Sequence, residues 1–478
     1  MGTEWGESFH KLKQGKIILW AGPVSTPDVV RDAIELVRNP QFVPFGCQAE
    51  MSSFIQSNHG AAVFSEMATG KTCSVLMGCG LDNGKEIDFI DASSGCIKNG
   101  ARTRIIEDGL KNNRQNHKII FINHEGVWRD PLAKFLETLD LFAICIDESH
   151  RIKSSSSKVC RWAAMQDRRH PRARRIILTG TPCPRDPRDL FGQYLFINKQ
   201  LFGTNKKRFE SRIAFFHPVF PSKIEAWRDD GIAWLNQQIS TNSIQIRAED
   251  AVDLPEAIHR RIRVPLRPAT QRIYDQLEKD FVASVFGSST TADNPLTRSI
   301  RLRQLTGGYV TTDEPGSVPQ LVNEKKNPEK IEVLADFLQD VPVDEPVVVF
   351  CEFTAELQAI KALATSQGRK VFEISGRQKQ VAEWNKEGGV IAVQTRAGGT
   401  GINLSKARIT VFYSTGWSLA DYEQAKARTR RTTQKASSCL YVHLVVRDSL
   451  DEVVYGALRS KQNVVDKVCE GLRKRRAG

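Results

Sequence analysis

Residues 65–72, SEMATGKT, contain the residue types that bind phosphate groups. They follow the apolar run AAVF, so the sequence predicts a strand that turns through Gly-Lys-Thr into a helix. Such a turn directs backbone N–H groups and a helix N-terminus at phosphates. We expect phosphate contacts from Gly70 and Lys71, and a Mg²⁺ contact from Thr72. Ser65 stands where the usual pattern has its first glycine, so an ordinary turn is the alternative for this segment taken alone.

A pair of carboxylates ends the apolar run in FAICIDESH. Asp147 is predicted to hold Mg²⁺ through water, and Glu148 to act as the general base that activates water against a γ-phosphate. A lone Asp-Glu pair at a strand end is usually solvated. The upstream Gly-Lys-Thr segment in the same α/β unit favours the chemical interpretation.

Two further segments suggest coupling between a bound nucleotide and the rest of the chain. In ILTGTP, Thr179 and Thr181 are candidates for relaying the nucleotide state from Glu148, although this sequence is also a good turn. In QAKARTRRTTQ, Arg428 and Arg431 are three apart, which predicts one helical face. Guanidinium groups presented to a γ-phosphate act as arginine fingers, whereas a solvated basic helix is the alternative.

These candidate residues require α/β units to position them. Continuous apolar runs without alternation are typical of parallel strands buried on both faces. They form two groups, at about 40–185 and about 345–447, and so predict two doubly wound parallel sheets. The runs are AAVFSEM, KIIFINHE, LFAICIDES, RRIILTGTP, PVVVFCEF, GVIAVQTRAGG and ITVFYS.

The domain boundaries follow from this grouping. We expect an N-terminal accessory segment over residues 1–40, which contains a strand in KIILWAG and a helix in PDVVRDAIELVRN. Residues 41–255 form lobe 1, with a helical insertion at about 190–250. A helical linker over 256–325 leads to lobe 2, residues 326–478, which ends in a C-terminal helix.

The composition is that of a globular protein with a polyanionic partner. The 478 residues include 68 Lys and Arg against 55 Asp and Glu, a net charge of +13. The ten cysteines form no C-x-x-C pair, which argues against zinc ribbons and redox motifs. No signal peptide pattern and no apolar run of about 18 residues is present, so we expect an intracellular location.

The order of these motifs resembles that of superfamily-two helicases, and within them the Snf-type, chromatin-remodeller-like DNA translocases. The general likeness rests on GKT, DESH, LTGTP, TRAGGTGINL and Q-x-x-x-R-x-x-R. The narrower one rests on LTGTPCPRDPRDLFGQYLFI, IRLRQLTGGYV and DSLDEVVYGALRSKQ. The resemblance begins at about residue 40. It implies two tandem RecA-like lobes that bind ATP and Mg²⁺, without accessory domains.

The resemblance also assigns roles to individual residues. Gln48 matches the glutamine that reads adenine, and Gly401 matches a glycine near the nucleotide. The candidate nucleic-acid contacts are Ser93, Ser94, Thr395, Arg396 and Trp417. The region around Ser93 and Ser94, in the first lobe, diverges from the family's sequence pattern.

The chain departs from the family pattern at several positions. Ser149 replaces a commoner alanine, and Ala427 an aspartate before the first arginine finger. Arg430 replaces a histidine between the fingers, and Tyr422 stands where an acidic residue is frequent. We expect these changes to affect the coupling between DNA and ATP hydrolysis, whereas the groups predicted to do the chemistry are retained.

The resulting hypothesis is an ATP-driven motor that moves along double-stranded DNA, held through phosphates without sequence specificity. One alternative is a helicase that separates strands on forked DNA or RNA. Another, from a different class, is a non-hydrolysing clamp switched by nucleotide, which the retention of Glu148 and both arginines disfavours. Location is cytoplasmic for a prokaryotic or viral protein and nuclear for a eukaryotic one.

Overall fold

The computed structural model describes residues 15–23, 27–93, 99–220, 224–285, 295–310, 320–322, 327–397 and 402–473. The chain divides into two compact units. Unit 1 comprises Met1–Val252 and Asn463–Gly478, and unit 2 comprises Asp253–Gln462.

Unit 1 is built on a seven-stranded sheet in the order β3-β4-β1-β5-β6-β2-β9, in which all paired strands are parallel. A two-stranded antiparallel hairpin, β7–β8, lies outside this sheet. The strands are β1 (Ile17–Gly22), β2 (Gly60–Ser65), β3 (Ile87–Asp91), β4 (His117–Asn123), β5 (Ala143–Asp147), β6 (Arg174–Thr179), β7 (Ala214–Phe216), β8 (Ile224–Trp227) and β9 (Ser243–Ile246).

Helices connect these strands, as parallel pairing requires. They are α1 (Pro27–Arg38), α2 (Gly46–Ser57), α3 (Lys71–Gly78), α4 (Asn99–Lys111), α5 (Leu132–Glu137), α6 (Lys158–Ala164), α7 (Gln166–Arg169), α8 (Asp189–Ile197), α9 (Lys199–Phe202), α10 (Lys206–Ile213), α11 (Asp229–Ile239) and α12 (Ala248–Ala251). One face of the sheet packs against α1, α2 and α3 through residues such as Val30, Met51 and Leu76.

Strand β1 changes the interpretation of the N-terminal segment. KIILWAG does form a strand, but β1 pairs with both β4 and β5 in the interior of the sheet. Ile18, Leu19 and Trp20 are fully buried. An interior strand with this burial belongs to the core of unit 1, so this part of residues 1–40 is not an accessory element.

Unit 2 is built on a six-stranded parallel sheet in the order β10-β17-β16-β13-β15-β14. A short antiparallel pair, β11–β12, lies outside it. The strands are β10 (Glu256–Val264), β11 (Tyr309–Val310), β12 (Gln320–Leu321), β13 (Val347–Cys351), β14 (Val371–Ile374), β15 (Val390–Gln394), β16 (Ile409–Phe412) and β17 (Ser438–Val446). The helices are α13 (Pro268–Val285), α14 (Pro295–Thr306), α15 (Glu329–Gln339), α16 (Thr354–Ser366), α17 (Val381–Glu387), α18 (Leu419–Lys426) and α19 (Leu450–Arg473).

The second sheet is buried on both faces. Along β13, Val347 and Val349 join one hydrophobic cluster, whereas Val348 and Phe350 join another. All seven apolar runs named above form parallel strands, so the prediction of two tandem parallel α/β units is confirmed and is consistent with RecA-like lobes. Strand β10 was not predicted: it occupies the start of the expected helical linker and pairs with β17.

Among the described residues, no helix combines the length and the apolar character that crossing a bilayer requires.

Candidate functional site

The turn between β2 and α3 has the geometry that the Gly-Lys-Thr segment predicts. Gly70 has a φ of 76°, in the left-handed region that favours glycine. A Cβ atom at this position would lie 1.9 Å from Nε2 of Gln48, so a larger residue would displace that side chain. Gln48 is itself buried, and its Oε1 accepts a hydrogen bond from the Phe45 N–H at 2.9 Å. The structure therefore places Gln48 against the predicted phosphate-binding turn.

The serine in place of the usual first glycine fits this turn. Ser65 is fully buried at the end of β2, and its hydroxyl lies 2.7 Å from Oγ1 of Thr69. The Lys71 ammonium donates to the carbonyl oxygens of Ser65, at 2.7 Å, and Glu66, at 2.8 Å. Burial lowers the pKa of Lys71, and the carboxylates of Glu148, Asp147 and Glu66 oppose this effect. Lys71 and the predicted carboxylate pair are thus close enough to interact.

The two carboxylates occupy the carboxyl end of β5, the edge where ligands bind in open parallel sheets. Asp147 accepts a hydrogen bond from the Glu148 N–H through Oδ1 at 2.9 Å. Burial raises the pKa of Asp147 to about 7; the charge of Glu148 adds to the rise and Lys71 opposes it. Glu148 has a φ of 49°, a conformation that costs energy for a non-glycine residue and that occurs often at functional sites.

His150 links the carboxylates to the Thr-rich turn after β6. Its Nδ1 lies 3.3 Å from Oε2 of Glu148 and 3.5 Å from Oγ1 of Thr179. Thr179 is fully buried and accepts a hydrogen bond from the Thr181 N–H at 3.1 Å. His150, to which the sequence analysis gave no role, therefore lies between Glu148 and Thr179, and the relay between them stays a prediction.

A second bridge, formed by uncharged side chains, joins the turn after β5 to the turn after β6. Ser149 donates a hydrogen bond to Oε1 of Gln193 at 2.7 Å, and both side chains are fully buried. Nε2 of Gln193 donates to the carbonyl oxygens of Pro182, at 2.7 Å, and Asp189, at 2.9 Å. The serine that replaces the family's commoner alanine thus has a specific partner on α8. The sequence analysis noted Ser149 but missed Gln193, because nothing local to Gln193 marks it.

The two arginines of unit 2 are not arranged as predicted. Helix α18 ends at Lys426, so Arg428 and Arg431 lie in the turns that follow it rather than on one helical face. The hydroxyls of Thr429 and Tyr441 both donate to the Lys426 carbonyl oxygen, at 3.2 and 3.0 Å. Side chains that compete for a backbone acceptor in this way favour helix termination.

Both arginines are nevertheless held in defined positions. Arg431 donates through Nε to the Ala427 carbonyl at 3.0 Å and through Nη2 to the Ile402 carbonyl at 3.3 Å. Burial lowers the pKa of Arg431. Arg428 is buried, and its carbonyl accepts a hydrogen bond from the Leu404 N–H at 3.0 Å.

The predicted nucleic-acid contacts differ in exposure. Ser93 is buried, and its N–H and hydroxyl both donate to Oδ1 of Asp91, at 2.9 and 2.7 Å. Thr395 is also buried and donates through Oγ1 to the Cys351 carbonyl at 3.2 Å. Arg396 and Trp417 are exposed. Ser94 and Gly401 lie outside the described residues.

The oxygen donors near Lys71 fit magnesium that arrives with a nucleotide. Thr72 begins α3 beside Lys71, and Asp147 supplies a carboxylate that interacts with Lys71. Mg²⁺ in such sites commonly takes one or two protein oxygens and completes its shell with phosphates and water. Within the described part of the chain, no cluster of three or more His, Cys, Asp or Glu side chains is arranged to hold a metal ion.

Comparisons with known proteins identify the family. The family model described as SNF2-related domain matches residues 109–307, and that described as helicase conserved C-terminal domain matches residues 329–433. A putative protein, p41, of Acyrthosiphon pisum secondary endosymbiont phage 1 is 26% identical over 79% of this chain and 82% of its own length. A putative ATP-dependent helicase/translocase of Bacillus subtilis (strain 168) is 25% identical over 68% of this chain, which spans 35% of that protein.

Among solved structures, the Sulfolobus solfataricus SWI2/SNF2 ATPase core in complex with dsDNA matches with 17% identity and a TM-score of 0.37. The match covers 89% of this chain and 97% of that one. The two family models together match more than half of the chain. The chain belongs to the SNF2-related family of ATP-dependent helicases and translocases.

Proposed function

We propose that this protein hydrolyses MgATP and uses the energy to move along double-stranded DNA. The observation that carries the proposal is the group formed by Lys71, Asp147 and Glu148 at the carboxyl edge of the first sheet. A phosphate-binding lysine beside two carboxylates is the minimum set that positions a triphosphate, holds its metal ion and activates water.

Each residue has a distinct role in this proposal. Lys71 releases its two backbone carbonyl partners and binds the β- and γ-phosphates, while Thr72 contacts Mg²⁺ and Asp147 holds it through water. Glu148 accepts the proton of the attacking water, and His150 orients its carboxylate.

The remaining predicted residues complete the nucleotide site. Gln48, packed on Gly70, contacts the adenine. The resemblance assigns Gly401, which is outside the described residues, to the nucleotide site. Arg428 and Arg431 stabilise the charge that develops on the transferred phosphate.

Three observations support double-stranded DNA as the track. The net charge of +13 suits a polyanion. Arg396 and Trp417 are exposed and available for contacts with a strand. The similar Bacillus protein is described as a helicase/translocase, and the similar Sulfolobus core was solved with dsDNA. Contacts to phosphates make such binding tolerant of sequence and strongly dependent on salt.

The test compares ATPase rates of the full chain on matched nucleic acids. Blunt duplex DNA, forked DNA, single-stranded DNA and duplex RNA of equal length are titrated at fixed salt, and displacement of a triplex-forming strand reports movement along duplex. We expect the largest stimulation with blunt duplex, together with ATP-dependent triplex displacement.

Other outcomes identify the alternatives. Stimulation that requires a fork or RNA, with release of a paired strand, would show a strand-separating helicase instead. Absence of phosphate release on every nucleic acid, with nucleotide binding intact, would show a nucleotide-switched clamp. Either result overturns the proposal.

A further inference from the structure

Unit 2 contains a cavity that the proposed function does not use. It has a volume of about 390 Å³ and lies between strand β10 and helices α18 and α19. Its lining includes His259 and Arg261 from β10, Tyr422 and Lys426 from α18, and Tyr455 and Arg459 from α19. Volumes of this order are typical of small-ligand sites.

The charge of the lining is positive. Arg261, Lys426 and Arg459 supply three cations, and Glu423 is the one acidic residue among the described lining residues. Glu423 pairs with Lys426 at 2.9 Å, which leaves the other two charges uncompensated by the lining. A cavity with this balance attracts an anion.

His259 lies among these cations in the cavity lining. His259 is exposed, and its pKa is lowered to about 4, first by desolvation of the covered part of its ring and then by the charges of Lys426, Arg459 and Arg430. Its ring stacks on that of Tyr441, with centroids 5.1 Å apart. A pKa this low leaves the imidazole neutral at physiological pH.

Two of the three cationic groups lie against aromatic rings, and the two arginines are exposed to an incoming ligand. The Lys426 ammonium lies 4.8 Å from the centroid of the Tyr422 ring, and the Arg261 guanidinium lies 5.7 Å from that of Tyr455. The hydroxyl of Tyr422 lies 2.8 Å from Nε2 of the buried His443, which anchors the ring. Cations positioned in advance lose little freedom when an anion binds.

We propose that this cavity is a phosphate-binding site, occupied by a polyphosphate group. Two arginines and a lysine match phosphate in charge and in hydrogen-bonding capacity. The group has two sources, a free polyphosphate such as the one a nucleotide carries, or consecutive phosphates of a nucleic-acid strand. Tyr422 favours phosphate binding, because it replaces an acidic residue that is frequent at this position in the family and that would repel phosphate.

The site is adjacent to the turn that carries the two arginines. Lys426 is the last residue of α18, and its carbonyl accepts the hydrogen bonds that end the helix before Arg428. A phosphate bound by the Lys426 side chain therefore lies at the start of the segment that leads to Arg428 and Arg431. The proposal does not depend on ATP hydrolysis by the protein.

The experiment follows the pKa of His259 in the full chain, carrying ¹³C-labelled histidine, by NMR. The resonance is assigned with the His259→Gln variant, and pH titrations are recorded with and without inorganic pyrophosphate. Bound phosphate supplies negative charge beside the ring, so we expect a saturable rise of about one pH unit or more. An unchanged pKa at high pyrophosphate concentration overturns the proposal.

Three variants localise the effect. The combined Arg459→Gln and Lys426→Gln substitutions should abolish the rise. Arg263→Gln should preserve it, because Arg263 lies on the same strand outside the cavity lining and pairs with Glu452. Lys71→Ala should also preserve it, which excludes an effect relayed from the predicted nucleotide site. A rise that persists in the combined variant contradicts the assignment.

Blunt duplex DNA then distinguishes the two sources. A rise of the His259 pKa with both duplex and pyrophosphate identifies nucleic-acid phosphates as an occupant. A rise with pyrophosphate alone identifies a free polyphosphate. Both support the site, whereas no rise with either refutes it.

Discussion

The two units each have carboxylates directly after a buried central strand, but the surroundings of these groups differ. In unit 1, β5 ends in Asp147, followed by Glu148. In unit 2, β13 is followed by Glu352 and, one helical turn later, Glu356. Burial raises the pKa of both Asp147 and Glu356 to about 7. A shifted pKa therefore does not tell the two regions apart.

The hydrogen-bond partners of these carboxylates distinguish the two regions. Oε2 of Glu356 accepts from the N–H groups of Glu352 and Phe353, both at 3.1 Å, and from the Ser414 hydroxyl at 2.6 Å. These bonds fix the start of α16, where orphan N–H groups need acceptors. Both carboxylates interact with a lysine, Lys330 for Glu356 and Lys71 for Asp147, but Lys71 lies on the predicted phosphate-binding turn. We infer that the carboxylates of unit 1 serve chemistry and that Glu356 serves structure.

On this comparison, the proposed catalytic contribution of unit 2 rests on its arginines. Arg431→Ala should lower kcat by roughly 10³-fold or more, because a missing guanidinium leaves the transition-state charge unstabilised. Steady-state ATPase with saturating DNA measures this, and a filter or anisotropy assay should show unchanged DNA binding. Arg430→Ala is the matched control, because Arg430 lies in the same segment and donates to the Pro255 carbonyl. Equal losses of kcat in the two variants would show that Arg431 has no special role in catalysis.

The comparison is tested most directly by the same substitution in both units. Glu148→Gln should lower kcat by at least about 10²-fold, because an amide cannot accept the proton from water. Glu356→Gln keeps an oxygen acceptor for the N–H groups of Glu352 and Phe353, so its kcat should remain near that of the parent. Turnover under saturating MgATP and DNA gives both values. A comparable loss in Glu356→Gln would contradict the division between chemical and structural carboxylates.

Much of this comparison follows from local sequence. Seven buried strands, the Gly70 turn and the Asp147–Glu148 pair are all encoded in short runs where apolar burial, backbone freedom and charge coincide. Strand β10 was missed because its arginine-rich sequence, EAIHRRIRV, lacks a continuous apolar run and lies at a sheet edge. Edge strands often carry such charges.

Features that depend on distant residues were not predictable. Strand order placed β1 between β4 and β5, which no pattern within KIILWAG encodes. The carbonyl oxygen of Lys426, at the end of α18, accepts a hydrogen bond from the Tyr441 hydroxyl, 15 residues away. The bridge from Ser149 to Gln193 spans 44 residues. Long-range hydrogen bonds of this kind leave no periodic signal in the sequence.

That bridge yields the smallest expected effect and the finest test of how unit 1 holds its carboxylates. Ser149→Ala deprives the buried Oε1 of Gln193 of its donor, a loss that costs about 1–3 kcal/mol. In a Gln193→Met background, the oxygen that accepts from Ser149 is already gone. Adding Ser149→Ala to that background should therefore change the free energy of unfolding by less than about 0.5 kcal/mol, the margin within which mutations at independent sites add. Urea unfolding of the four proteins in this double-mutant cycle measures the free energies of unfolding.

The kinetics of the same four proteins separate positioning from stability. Ser149 precedes His150, which contacts Glu148, so loss of the bridge should reduce kcat while leaving KM for ATP nearly unchanged. A bridge that only stabilises the fold would change the unfolding free energy and leave kcat unaltered. Additive effects in both measurements would show that Ser149 and Gln193 act independently, and that their bridge does not position Glu148.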